Sequence, residues 1–297
     1  MSSEPAWMLA IYSIAILAAS LLGGWLPSLV RMTHTRTQLV MSFVAGLMLG
    51  VALYHLLPHS LAQLSVGAAP GTQVIDLAVG WVMLGMILML LMLRLFHFHQ
   101  HDFSDEEDHH HDHQHEHSPQ AHPLSWLGIA LGMGLHTLID GVALGASVTG
   151  AVGHGSGWLG LGVFLAILLH KPLDALSVTS MMQAGGWTPR ARILVNLGFA
   201  LLCPVGAWLF FVTAGMLEQQ ALVVGSALAF AAGVFLCISL GDLLPEVHFH
   251  SHDKFKLTFM FLVGIGLAYA LRFVEPTMAH GAVVPESAIH TSHGNTP

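Results

Sequence analysis

Two histidine–aspartate pairs carry the chemistry available to this chain. His136 and Asp140 stand four residues apart in LSWLGIALGMGLHTLIDGVALGASV, and His170 and Asp174 repeat that spacing in GWLGLGVFLAILLHKPLDALSVTSMM. Residues at i and i+4 share a helix face, so each segment offers an imidazole and a carboxylate to the same neighbour. Both groups are ligands for divalent metals. His136 comes twelve residues after Leu124 and His170 eleven after Leu159. At 1.5 Å per residue, these offsets put the pairs roughly 16–18 Å into a hydrocarbon core about 30 Å thick. A single polar residue in a membrane helix is commonly a packing hydrogen bond. Four ionisable groups at matched depth are harder to explain that way, because each costs about 2.5 kcal/mol or more at the helix centre unless paired or solvated. A shared cation site accounts for all four.

The elements that must hold these pairs are membrane spans. Charged residues make up 9% of the chain and apolar ones 54%, with mean hydropathy +0.69, whereas soluble domains are about one quarter charged. This is the composition of an all-α polytopic membrane protein. The net charge of −8 is local, since seven of the seventeen acids lie between Asp102 and Glu116, and it gives no reason to expect nucleic acid. Cys203 and Cys237 both fall inside apolar runs, which supports neither a disulfide nor a thiolate zinc cluster. The first apolar run has no basic leader and is followed by Arg31 and Arg36, as a retained span would be.

Apolar windows of about 20 residues predict eight transmembrane helices, at 6–30, 38–62, 74–96, 124–150, 158–184, 191–217, 221–246 and 256–275. The chain then divides into spans one to three (1–96), a polar loop (97–122), spans four and five (123–185), spans six to eight (186–276) and a tail (277–297). Arg31, Arg36, Arg94, Arg190, Arg192, Lys254 and Lys256 fall on one set of alternate loops. By the positive-inside rule those loops are cytoplasmic and both termini extracytoplasmic, with the plasma (bacterial inner) membrane as the expected location.

The second and seventh spans repeat one another. FVAGLMLGVALYHLLPH (Phe43 to His59) and FAAGVFLCISLGDLLPE (Phe230 to Glu246) align without a gap. The charge rule runs them in opposite directions, so helices 1–3 and 6–8 form an inverted repeat around the central pair of helices 4 and 5, a plan known from secondary transporters. His55 and His59 near one end, and Asp242 and Glu246 near the other, are candidates for the path of a cation to and from the central site. They are equally what ordinary interfacial residues would be. Met48 could add a thioether ligand, although methionine in an apolar helix usually packs.

Between the third and fourth spans runs HFHQHDFSDEEDHHHDHQHEHSPQAH, with ten histidines and seven acids. Such a segment cannot bury an apolar core and is expected to be disordered. His97, His99, His101, His109, His110, His111, His113, His115 and His117 are its candidate metal-capturing residues.

The stretches HTLIDGVALGA and HKPLDA, with the eight spans, outside termini and histidine-rich loop, resemble the ZIP (Zrt/Irt-like) family of divalent metal transporters. In that family the fourth span typically carries His-Asn-x-x-Asp/Glu-Gly and the fifth an equivalent pair, together forming a mid-membrane metal site. The resemblance implicates His136, Asp140, His170 and Asp174. It also implies import, a use of flux that charge bias alone does not give. Two departures stand out: Thr137 replaces the asparagine, and Lys171 stands where binuclear members have an acidic or polar ligand. A charged lysine has no lone pair, so one central metal is expected, with the ammonium where a second ion would sit. Lys171, three residues before Asp174, is positioned to pair with it.

Two imidazoles and two carboxylates suit Zn²⁺, and do not exclude Fe²⁺, Mn²⁺ or Cd²⁺ as the substrate. The expected partners are the metal ion and the lipid bilayer, with a homodimer allowed and no resident cofactor. An intramembrane metal hydrolase is the first rival, but H-E-x-x-H is missing and spans four and five hold no glutamate to act as base. A membrane-anchored metal sensor or buffer is the second.

Overall fold

The computed structural model describes residues 3–29, 34–66, 72–96, 125–150, 158, 160–243 and 254–274. The histidine-rich loop, Glu246 and the C-terminal tail lie outside them, as does the side chain of Asp242. Within the described residues the first span is α1 (Ser3–Leu29), and the second is one rod made of α2 (His34–Val51), a π-helical turn (Ala52–Leu56) and α3 (Leu57–Leu64). The third to sixth spans are α4 (Thr72–Phe96), α5 (Ser125–Gly150), α6 (Leu161–Ala184) and α7 (Pro189–Ala214). The seventh is α8 (Gln220–Ile238) running into a π-helical turn (Ser239–Leu243), and the eighth is α9 (Lys254–Leu271). Eight helices are long and apolar enough to cross a bilayer, from Pro5–Trp25 to Lys254–Leu271.

The ends differ from the sequence expectation by a few residues, for local reasons. The sixth span begins at Pro189 rather than 191, because Thr188 caps it: its Oγ1 accepts from Ala191 N at 3.3 Å, and proline fits the first turn, where its missing N–H is no loss.

The repeat governs packing. Gly46 lets α2 approach the Phe261 carbonyl of α9, and its repeat counterpart Gly233 lets α8 approach the Val82 carbonyl of α4. A Cβ at either position would overlap the neighbouring backbone. The partner helices return the contact in kind, Gly264 against Phe43 and Gly85 against Phe230, two phenylalanines that the repeat also aligns. The two π-helical turns coincide in the same alignment, Ala52–Leu56 against Ser239–Leu243. Around the centre, Gly206 of α7 packs on Leu138 of α5, while Gly23 of α1 packs on Pro172 of α6.

These pairings sort the spans into two bundles. One holds α1, α5, α6 and α7, with Tyr12 stacked on Phe164 at 4.1 Å. The other holds the second, third, seventh and eighth spans, tied by Ser239 Oγ donating to the Ala45 carbonyl at 2.7 Å and Ser42 Oγ to that of Leu257 at 2.6 Å. Such bonds satisfy polar groups that lipid could not. The lipid-facing surface is apolar, with Leu194, Leu209, Phe259 and Leu262 among its exposed side chains.

Candidate metal centre

The four predicted residues converge. His136 and Asp140 project from α5 and His170 and Asp174 from α6, and each offers a ligand atom within 4.8 Å of all the others. His136 Nε2 lies 3.4 Å from Asp140 Oδ2 and 3.8 Å from Asp174 Oδ2. His170 Nε2 lies 3.1 Å and 3.7 Å from the same two oxygens. The rings face one another, with centroids 5.7 Å apart and planes 26° from parallel. A tetrahedral ion with ligand bonds near 2.0–2.1 Å has ligand–ligand edges of about 3.4 Å. The four nitrogen–oxygen separations bracket that edge.

His170 Nδ1 is 2.7 Å from the Ala166 carbonyl one turn back. A carbonyl only accepts, so Nδ1 carries a proton and Nε2 is the ring atom turned towards the carboxylates. His170 Nε2 and Asp140 Oδ2, 3.1 Å apart, are close enough to share a proton or to hold a cation between them. His136 Nδ1 and Asp140 Oδ1 are buried without hydrogen-bond partners among the described residues. Both atoms keep unused hydrogen-bonding capacity.

Lys171 is 1% exposed, one of the large side chains that are fully buried among the described residues. It pairs with Asp174 Oδ2 at 3.1 Å, as its spacing predicts, and also with Asp140 Oδ2 in a shorter contact across the helix interface. Its third partner is Thr137 Oγ1 at 3.1 Å. The ammonium therefore sits beside the imidazole–carboxylate cluster, sharing both carboxylates with it. Phe199 covers it, with the ring centroid at 6.0 Å. The reach of Lys171 to Asp140 and Thr137 was not legible in the sequence, because it depends on how α5 and α6 face each other.

The Asp140 side chain is fully buried, whereas that of Asp174 is 14% exposed. Buried and partly buried positions alternate along α6 on both sides of the site, with Val163, Ile167, Ala175 and Val178 buried and Leu165, Leu168, Leu173 and Ser177 partly buried.

The remaining candidates stand apart from the cluster or beside it. Met48 is buried in the main core. Phe235, its repeat counterpart, sets its ring edge-on to His170 with centroids 6.2 Å apart. His55 departs from the expected interfacial position: it is 1% exposed, and its Nε2 donates to the Ala268 carbonyl at 2.8 Å. The cause is the π-helical turn, whose extra residue per turn rotates His55 into the bundle. His59 is partly buried.

The family profile described as ZIP Zinc transporter matches residues 5–272. The chain is 37% identical to zinc transporter ZIP9 of Micropogonias undulatus, over 41% of this chain and 40% of that protein. It is 31% identical to mouse zinc transporter ZIP2, over 43% of this chain and 40% of that protein. With the metal cation symporter ZIP14 of Bos taurus it shares 32% identity, over 42% of this chain and 23% of that protein. The chain thus spans about two fifths or less of the length of these relatives. With a profile match across nearly all its length and eight helices able to cross a membrane, the chain belongs to the ZIP zinc transporter family.

Proposed function

We propose that this protein carries a divalent transition metal, Zn²⁺ foremost, across the bilayer into the cytoplasm through one site formed by His136, Asp140, His170 and Asp174. The observation that carries the reading is the convergence of all four ligand atoms to within 4.8 Å of one another, deep between two adjacent membrane helices. A binding site for transport must strip an ion of water and still release it. Imidazoles and carboxylates in a buried pocket replace the hydration shell, and the fixed Lys171 ammonium limits how tightly a doubly charged ion is held. That ammonium occupies the place of a second cation, which makes the site mononuclear. The ligand set also accommodates Fe²⁺, Mn²⁺ and Cd²⁺.

The repeat relates Met48 to Phe235, whose ring lies beside His170, and a thioether from Met48 could complete the shell. With the basic loops cytoplasmic, the C-terminal end of α6, beyond the partly exposed Asp174, faces inward. Metal arriving from outside passes the His55–His59 end of the second span when the two bundles shift. It leaves past Asp242 and Glu246 towards the histidines of residues 97–122.

Uptake of radiolabelled zinc, iron, manganese and cadmium into vesicles of known sidedness tests this reading. Inward flux of zinc, lost when His136 and His170 are both alanine, is the expected outcome. Uptake that survives the double substitution sinks the site.

A further inference from the structure

The two bundles meet where the end of α3 reaches the end of α5, and the geometry points to Gln63 as the latch that holds this seam shut. Gly150 is the last described residue of α5, and its carbonyl accepts a bond from outside that helix. Gln63, at the end of the second span in the other bundle, supplies it: Nε2 donates to the Gly150 carbonyl at 2.7 Å. Around that bond the seam is tight. A Cβ on Gly150 would lie 3.1 Å from Val224 Cγ1 and 3.4 Å from Gln63 Nε2, and Val224 is 1% exposed. One helical stretch deeper, the ring of His55 rests against Gly162 at the start of α6, where a Cβ would meet its Nδ1 at 2.8 Å.

Two other long-range side-chain bonds in this half keep within one bundle. Ser60 Oγ donates to the Gly225 carbonyl at 2.7 Å, and His55 to that of Ala268. These bonds survive a rigid-body shift of one bundle against the other, whereas the Gln63–Gly150 bond cannot. Opening the seam at this end therefore breaks the part-buried, charge-free Gln63–Gly150 hydrogen bond and exposes apolar surface. That is a small enough cost to be reversible and large enough to keep the closed form dominant. The inference rests on the transport reading for its purpose, but the latch itself is a property of the seam.

The test uses the full-length protein in sealed vesicles with a cysteine at Val224 (V224C), labelled by a membrane-impermeant maleimide from the side of the chain termini. The same chain without the added cysteine is the background. Gln63→Ala removes the amide, and Gln63→Glu keeps its size while offering no N–H to the carbonyl. Labelling roughly five-fold faster in both variants is expected, the population change that follows from losing one such bond. Equal rates with and without the amide overturn the latch.

A second arm does not depend on how well those variants fold. Gln63→Cys and Gly150→Cys bridged by a cleavable bifunctional thiol reagent should stop zinc uptake, and cleavage should restore it. Uptake unchanged by the bridge overturns the proposal. If the unmodified protein moves no metal, the transport reading fails while the labelling rates still decide the latch.

Discussion

His170 Nε2 stands 3.1 Å from Asp140 Oδ2, although the two residues lie thirty positions apart on different helices. With its Nδ1 proton committed to Ala166, the imidazole turns Nε2 to that carboxylate oxygen, and the two atoms can hold a proton or a cation between them. The same oxygen also faces His136 Nε2 and the Lys171 ammonium, so Asp140 is the hub of the site. Asp140→Asn keeps the shape and removes the charge. Zinc affinity, measured by equilibrium dialysis of the purified protein, should fall on the order of 100-fold or more, beyond what loss of an outer-shell partner costs. An unchanged affinity would place the ion elsewhere.

Lys171 balances two carboxylates in a setting where neither could be left alone. Lys171→Met retains the bulk and deletes the cation. Breaking a buried pair in this way costs about 3–5 kcal/mol. The metal-free variant should therefore melt at a lower temperature in detergent, and zinc should raise its melting temperature further than it raises that of the parent protein. Equal melting temperatures without metal would mean that the ammonium is not paired with Asp140 and Asp174.

The repeat-related glycines predict matched effects. Leucine at Gly46 or at Gly233 would drive a side chain into the facing backbone, at about 1–3 kcal/mol each for overpacking. Gly80, where an added Cβ meets nothing within 4 Å, is the control and should tolerate leucine. Thermal stability of the three variants checks this, and a Gly80 variant as impaired as the others would contradict it.

Deleting residues 97–122 separates a carrier from a sensor. The four central residues do not involve that loop, so the deletion should leave vesicle uptake of zinc intact and alter only its dependence on concentration. Complete loss of function would favour the sensor reading.

Much of this was legible in the chain because membrane helices allow few ionisable residues and each one is informative. His136, Asp140, His170 and Asp174 announced themselves by depth and by the four-residue spacing, and Lys171 by its distance from Asp174. The alignment of Phe43–His59 with Phe230–Glu246 exposed the repeat. It did not reveal which helices Gly46 and Gly233 would touch, since an almost uniformly apolar segment has no polar face to orient it. The π-helical turns at Ala52–Leu56 and Ser239–Leu243 left no pattern for the same reason, and so the burial of His55 was missed. Gln63 gave only a faint signal, a polar amide at the end of an apolar rod, because its partner is a backbone carbonyl that any residue would present.

The central claim is that one metal ion lies among the imidazoles of His136 and His170 and the carboxylates of Asp140 and Asp174. Anomalous diffraction at the zinc absorption edge from crystals of the zinc-loaded protein measures this directly. A single membrane-embedded peak about 2.0 Å from His136 Nε2, His170 Nε2 and both aspartates is the predicted result. A peak outside that cluster, or two peaks with one at the Lys171 ammonium, would contradict it.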